Sequence, residues 1–201
     1  MDLANKYRPQ KLEDIVGQEN VVKILSSELK HNKLRQQYLF VGNTGSGKTT
    51  TARILAKAVN GQVFEIDAAS HSSVEDIRAL IETITIRPMG VDHTVVILDE
   101  VHGLSNKAIQ TLLLTLEKPP KHVIFILCTT EADKVPDTIK NRCECFVFLR
   151  LSYYLIADRL EYICKKEQIE YAKPALKEIA KIANGSLRQA ISYLEQVSSE
   201  K

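Results

Sequence analysis

Apolar and polar positions change period repeatedly along this chain, and each change marks an element. Val21, Val22, Ile24, Leu25 and Leu29 recur at helical spacing. Gln37-Tyr38-Leu39-Phe40-Val41 is a short apolar run that reads as a strand, and a helix-compatible run from Thr50 to Val59 follows a glycine-rich turn. Gly61 is expected to end that helix, ahead of a strand at Val63-Phe64-Glu65-Ile66. Helical spacing returns at Val74, Ile77, Leu80, Ile81 and Ile84 and breaks at Pro88 and Gly90. Thr94 to Leu98 is continuously apolar and bounded by charge, as in a strand buried on both faces of a parallel sheet. Ser105 reads as the N-cap of a helix through Ile109, Leu112, Leu113 and Leu116, which Pro119 and Pro120 stop. His122 to Leu127 and Cys145 to Leu149 read as further strands, with a short segment around Pro136 to Lys140 between them.

Strand and helix thus alternate to about residue 150, which predicts an α/β fold built on a parallel sheet flanked by helices. From Ser152 the pattern is helical throughout. Leu155, Ile156, Leu160 and Ile163 mark one helix. Pro174 opens a second through Leu176, Ile179 and Ile182, which Gly185 ends. Ser186 caps a third with Ala190, Ile191, Leu194 and Val197. The expected organisation is a nucleotide-binding α/β domain over 1–150 and a small three-helix domain over 151–201.

Composition narrows the class. The 201 residues are 44% apolar and 26% charged, as in an ordinary globular protein. The net charge of +2 carries no bulk footprint of a self-sufficient DNA binder, so any nucleic-acid contact must be local or shared with partners. The N-terminus lacks the apolar stretch of a signal peptide, and no run is long enough to cross a membrane. A cytoplasmic location is expected. Cys128, Cys143, Cys145 and Cys164 contain no C-x₂-C pair, so they read as reduced thiols rather than a zinc site.

The chemistry concentrates at Gly42 to Thr49, which reads G-N-T-G-S-G-K-T and matches the phosphate-loop pattern G-x-x-x-x-G-K-[ST]. Gly42, Gly45 and Gly47 let the backbone turn tightly and approach a ligand. The N–H groups of Asn43, Thr44, Ser46 and their neighbours can then form an anion nest at a helix N-terminus, with Thr50 in its first turn. Lys48 can reach the β/γ-phosphates, and the Thr49 hydroxyl can complete a Mg²⁺ shell. Asp99-Glu100, after the buried run, supplies a carboxylate to orient the metal and a second to polarise a water. Thr130 follows the next strand, where its hydroxyl could hold the water or be an ordinary strand-end threonine. Arg142 is ambiguous by itself. Arg188 starts a helix against the dipole preference, which suggests an anionic partner. Tyr7, Arg8 and Val16 belong to an N-terminal stretch in which Pro9 argues against helix. That stretch could cover a flat base or serve as a surface strap.

The motifs taken together resemble the ATPase subunits of sliding-clamp loaders, a branch of the AAA+ superfamily. Those of bacterial DNA polymerase III are nearer than the small subunits of replication factor C. The resemblance runs from about Lys6 to Val197. It rests on K-Y-R-P at 6–9, I-V-G-Q-E at 15–19, the phosphate loop, E-I-D-A-A-S at 65–70, D-E-V-H at 99–102, L-E-K-P-P at 116–120, N-R-C at 141–143 and G-S-L-R at 185–188. It implies that Tyr7, Arg8 and Val16 lie near the adenine and that Glu100 is the catalytic base. Thr130 would be the first sensor, and Arg188 would reach the γ-phosphate from the lid. Arg142 would be an arginine finger acting in trans on a neighbour's site. The implied work is ATP hydrolysis with Mg²⁺, coupled to loading a ring-shaped sliding clamp at a primer–template junction together with other clamp-loader subunits. Family members grip DNA through helix N-termini, and Ser105, Asn106 and Lys107 start such a helix here or form a plain capping turn.

Three features depart from the family. The usual four-cysteine zinc module is missing, since Val59-Asn60-Gly61-Gln62 passes straight into Val63, so no zinc is expected. The usual S-R-C is N-R-C, with Asn141 before Arg142. The helical collar domain is absent from these 201 residues, as in a fragment or a protein whose collar comes from elsewhere. The rival readings are another DNA-directed AAA+ motor, such as a helicase loader or branch-migration ATPase, and a non-catalytic nucleotide-binding scaffold.

Overall fold

A computed structural model describes residues 2–198; Met1 and the final three residues of the expected 151–201 domain lie outside the described residues. A short helix α1 (Leu3–Lys6) precedes α2 (Glu19–Lys30). Strand and helix then alternate through β1 (Gln37–Gly42), α3 (Lys48–Ala58), β2 (Gly61–Asp67), α4 (Val74–Thr85), β3 (His93–Asp99), α5 (Asn106–Glu117), β4 (Val123–Thr129), α6 (Asp137–Lys140) and β5 (Glu144–Phe148). The helices α7 (Tyr153–Glu167), α8 (Lys173–Ile182) and α9 (Leu187–Ser198) complete the order. Local chemistry sets the starts. Ser105 Oγ accepts the Ala108 N–H at 3.3 Å, Ser73 and Asp76 form a capping box ahead of α4, and Pro174 sits in the first turn of α8.

The five strands are parallel, in the order β2-β3-β4-β1-β5. β1 sits between β4 and β5, with Leu39 opposite Leu127 on one side and Cys145 on the other. β4 is buried along its whole length, which its unbroken apolar run requires. α4, α5 and α6 pack Ile77, Leu80, Leu112 and Ile139 against one sheet face, and α2 and α3 pack Leu25, Ala52 and Leu55 against the other. Tyr38 and Phe40 are fully buried in the second layer, and each such side chain contributes roughly 1.5–3 kcal/mol over an exposed one. The chain leaves β1 for the far edge of the sheet and later steps over it from β4 to β5. The loop after β1 therefore opens at the topological switch point, where α/β sheets bind ligands.

Two details differ from the sequence reading. Gly61 does not end α3. Asn60 takes the left-handed conformation (φ 49°), and Gly61 is the first residue of β2. Glycine is needed there for space, because a Cβ would lie 2.7 Å from Val95 Cγ2 and 3.1 Å from the Ala56 carbonyl. The N-terminal stretch does contain a helix. α1 ends at Lys6, short of Arg8, the residue whose backbone Pro9 restricts. Asp2 caps that helix by accepting the Asn5 N–H at 3.0 Å.

α1 also packs away from the sheet. Leu3 is buried in the cluster of α7, α8 and α9, among residues such as Leu160, Leu176 and Leu194. Lys6 and Tyr7 both bond Glu167 on α7, and Arg159 donates to the Tyr7 carbonyl at 3.3 Å. The Glu167 hydrogen bond, aided by burial, pushes the Tyr7 phenol up to about 12. Among the described residues no helix is long and apolar enough to cross a membrane.

Candidate functional site

A cleft of about 380 Å³ lies between the carboxyl end of the sheet and the helical unit. Its floor is the turn from β1 into α3. Lys48 is buried and donates to the carbonyls of Gly42 (2.7 Å) and Asn43 (3.1 Å), holding the loop's entry against its exit. Burial pushes the Lys48 ammonium below its ordinary value, and the Glu100 carboxylate opposes that shift. Gly45 has φ 74°, and a Cβ there would lie 2.2 Å from Ser186 Oγ at the start of α9, so only glycine lets the helical unit close on the loop. Gly45 to Thr50 line the cleft, while Gly42, Asn43 and Thr44 are not among the residues that line it, and Thr44 is exposed.

Asp99 ends β3 beside the loop and accepts the Thr49 hydroxyl at 2.7 Å. Glu100 follows in the left-handed region (φ 50°, ψ 47°). Its Oε2 accepts the Thr130 N–H at 3.0 Å and the Thr130 hydroxyl at 2.9 Å. Tyr7, Arg8 and Val16 line the cleft from the N-terminal stretch, and Arg188 lines it from α9. Burial, then Arg53 and Arg188, lower the affinity of the Arg8 guanidinium for its proton. Arg8, Lys48, Arg53 and Arg188 converge on the cleft, and although Glu65, which pairs with Arg53, Asp67 and Asp99 also line it, Arg8, Lys48 and Arg188 can face a polyphosphate. Arg142 lies elsewhere: it donates to the Thr138 carbonyl at 2.7 Å and pairs with Glu117. Ser105, Asn106 and Lys107 are exposed at the start of α5.

The residues present fit Mg²⁺ and a nucleoside triphosphate. Ser46 Oγ is buried without a hydrogen-bond partner among the described residues, in a loop whose backbone can cradle phosphate. Thr49 and Asp99 are oxygen donors of the type Mg²⁺ takes, already within 2.7 Å of each other.

Three residues at the site carry no assigned role in the sequence reading. Gln18 is buried, donates to the carbonyls of Leu149 (2.8 Å) and Ser46 (3.3 Å), and accepts the Leu149 N–H (2.9 Å). It ties the phosphate loop to the end of β5. Arg53, one turn after Thr49, lines the cleft and pairs with Glu65 through two hydrogen bonds at 2.8 and 2.6 Å. Asp67, opposite Asp99 in register, lines it too. The available signals were helical spacing from Thr49 and the acid ending a second strand. Cys128 and Cys164 are buried, and burial raises both thiols.

The phosphate loop after the inner strand β1, the acid pair at the end of β3 two places along the sheet, and a helical cover that brings Arg188 to the cleft define a phosphate-loop nucleotide-binding protein with a lid. Residues 38–151 match the model of the ATPase family associated with various cellular activities, and residues 155–198 match the DNA polymerase III clamp loader subunit ATPase lid domain. The chain belongs to the AAA family of ATPases. It is 41% identical to DNA polymerase III subunit tau of Bacillus subtilis over 98% of this chain and 39% of that protein. It is 39% identical to DNA polymerase III subunit tau of Escherichia coli over 96% of this chain and 34% of that protein. The chain thus spans well under half of these relatives. Among solved structures, the Thermotoga maritima RuvB Holliday junction branch migration motor superposes with a TM-score of 0.79, covering 96% of this chain and 65% of that one at 23% identity, a likeness of fold.

Proposed function

We propose that this chain is the ATP-hydrolysing motor module of a DNA sliding-clamp loader. The observation that carries the reading is the grouping of Lys48, Thr49, Asp99 and the lid's Arg188 around one cleft, with Glu100 beside it, in a chain whose lid matches that of clamp-loader subunits. Tyr7, Arg8 and Val16 receive the adenine end of ATP. The loop N–H groups and Lys48 hold the phosphates, and Thr49 and Asp99 hold Mg²⁺. Mg²⁺, when bound, neutralises charge on the phosphate oxygens. Glu100 orients and deprotonates the attacking water, Thr130 fixes Glu100, and Arg188 stabilises the γ-phosphate from the lid.

Arg142 acts in trans on a neighbouring subunit, which makes hydrolysis a property of the assembled loader. The partners are other loader subunits, the clamp and primer–template DNA, with Ser105, Asn106 and Lys107 as DNA-backbone contacts at an exposed helix start. The protein works in the cytoplasm and needs no zinc.

The test is Glu100→Gln in the full-length protein within its assembly. ATP binding should persist while turnover falls by roughly 10²–10⁴-fold, the usual worth of a general base. Unchanged turnover would remove Glu100 from the reaction. Hydrolysis that is indifferent to added clamp and primed DNA would remove the loader role.

A further inference from the structure

His102 stands two residues after Glu100 in the D-E-V-H run, and the hydrolytic scheme leaves it without a part. It occupies the short 3₁₀ turn Val101–Gly103 that follows Glu100, and its side chain is only 17% exposed. Both ring nitrogens are engaged. Nδ1 lies 3.0 Å from Thr129 Oγ1 and 3.3 Å from Glu100 Oε2, and Nε2 lies 3.0 Å from Glu131 Oε1. Thr129 Oγ1 in turn accepts the Glu131 N–H at 3.0 Å. Glu131 pairs with Lys134 at 2.7 Å on the protein surface.

These contacts enclose Thr130, the residue whose N–H and hydroxyl hold Glu100. The imidazole grips the residues on both sides of it, Thr129 and Glu131. The bonds from Thr130 and the approach of His102 all fall on Oε2 of Glu100, which divides the carboxylate into an anchored oxygen and a second oxygen, Oε1, that can face a water. Glu100 also sits in the left-handed region, where a side chain costs about 1–2 kcal/mol, so its conformation needs outside support.

We propose that His102 is a positioning residue for ATP hydrolysis. Bracing Thr129 and Glu131, it fixes the Thr130 groups that hold Glu100, and it links that carboxylate to the surface pair Glu131–Lys134. The proposal rests on Glu100 being the base, yet its structural part stands without that assumption.

The test uses the full-length protein in its native assembly, with His102→Ala, His102→Asn and His102→Gln. An Asn amide falls near the position of Nδ1 and can regain the Thr129 and Glu100 contacts. A Gln amide falls near Nε2 and regains only Glu131. A misplaced catalytic group costs roughly 10–100-fold in rate. The expected result is a kcat about 10–100-fold lower for His102→Ala and His102→Gln. His102→Asn should recover to within a few-fold of the parent, and KM and the Kd for ATP should stay within about twofold in all three. Equal activity in the Asn and Gln variants, or a rise in KM and Kd with kcat unchanged, would overturn the positioning role. A second readout does not depend on turnover. In a crystal structure of His102→Gln, the Glu100 carboxylate should leave Thr130, and a carboxylate still bonded to both Thr130 groups would also overturn the proposal. If the parent binds ATP without hydrolysing it, the motor reading fails by itself while this structural comparison still decides the role of His102.

Discussion

Replacing Gln18 with alanine removes a buried amide that makes three hydrogen bonds, to Leu149 N–H, Leu149 C=O and Ser46 C=O. A net contribution near 1 kcal/mol for each would give about 3 kcal/mol. Leu149 is 61% exposed as a residue and its bonds to Gln18 are only partly buried, so water can replace some of the loss. An expected destabilisation of about 2–3 kcal/mol results, and at roughly 2–4 °C per kcal/mol for a domain of this size, Tm falls by about 4–12 °C. Gln18→Glu keeps the shape but removes both Nε2 donors and sets a carboxylate against two carbonyls, so it should cost at least as much. Because Ser46 belongs to the phosphate loop, ATP binding should weaken as well, by roughly fivefold for about 1 kcal/mol lost there. Thermal melts of the full-length protein, with nucleotide titrations on the same variants, measure both. A Tm within about 2 °C of the parent together with an unchanged Kd would refute the idea that Gln18 staples the loop to β5.

Two further outcomes are expected. Arg142→Ala should leave ATP binding by its own subunit intact, since Arg142 lies outside the cleft, and should slow hydrolysis in the assembly by roughly 10³-fold; loss of binding in the isolated variant would instead mark the Glu117 pair as structural. In the lid, hydrogen bonds from Lys165 and then Tyr171 hold Glu161 down to about 2 from an ordinary 4.5. A carboxyl depressed on folding stabilises fully above its unfolded value and loses that contribution as pH falls, here between about 4.5 and 2. Glu161→Gln should therefore flatten the acid limb of the Tm–pH curve, and an acid limb identical to the parent's would show that the contacts carry no stability.

Legibility in the sequence followed the distance over which each feature is specified. The phosphate loop is a strand, a turn and a helix start in continuous sequence, so Gly42 to Thr49 could be read without any tertiary contact. The same holds for Ser105, whose cap reaches only three residues ahead. Gly61 misled because glycine after a helical run suggests a left-handed cap, whereas Asn60 takes that conformation and Gly61 answers to Val95 on the next strand. Gln18 stood inside a recognised motif, I-V-G-Q-E, but its partners Ser46 and Leu149 are 28 and 131 residues away. α1 is four residues long and carries no period to detect. Its burial on the lid depends on Leu3 meeting helices that begin some 150 residues later.

That last contact bears on how the cleft is built. The N-terminal residues Tyr7 and Arg8 leave the sheet domain's own core, and the backbone there is fastened to α7 through Glu167 and Arg159. Arg188 reaches the cleft from α9 of the same helical unit. Two walls of the cleft, one expected at the base and one at the γ-phosphate, are therefore carried by the helical unit, with Tyr7 packed on its cluster and Arg188 on α9, while Lys48, Thr49 and Asp99 come from the sheet domain. A nucleotide that contacts both walls bridges the sheet domain and the helical unit, and its binding energy is shared between holding the ligand and holding the lid closed. Gly45, where a Cβ would stand 2.2 Å from Ser186 Oγ, and Gly17, where one would stand 2.5 Å from Leu151 Cδ2, are points at which that closure is sensitive to a single added carbon.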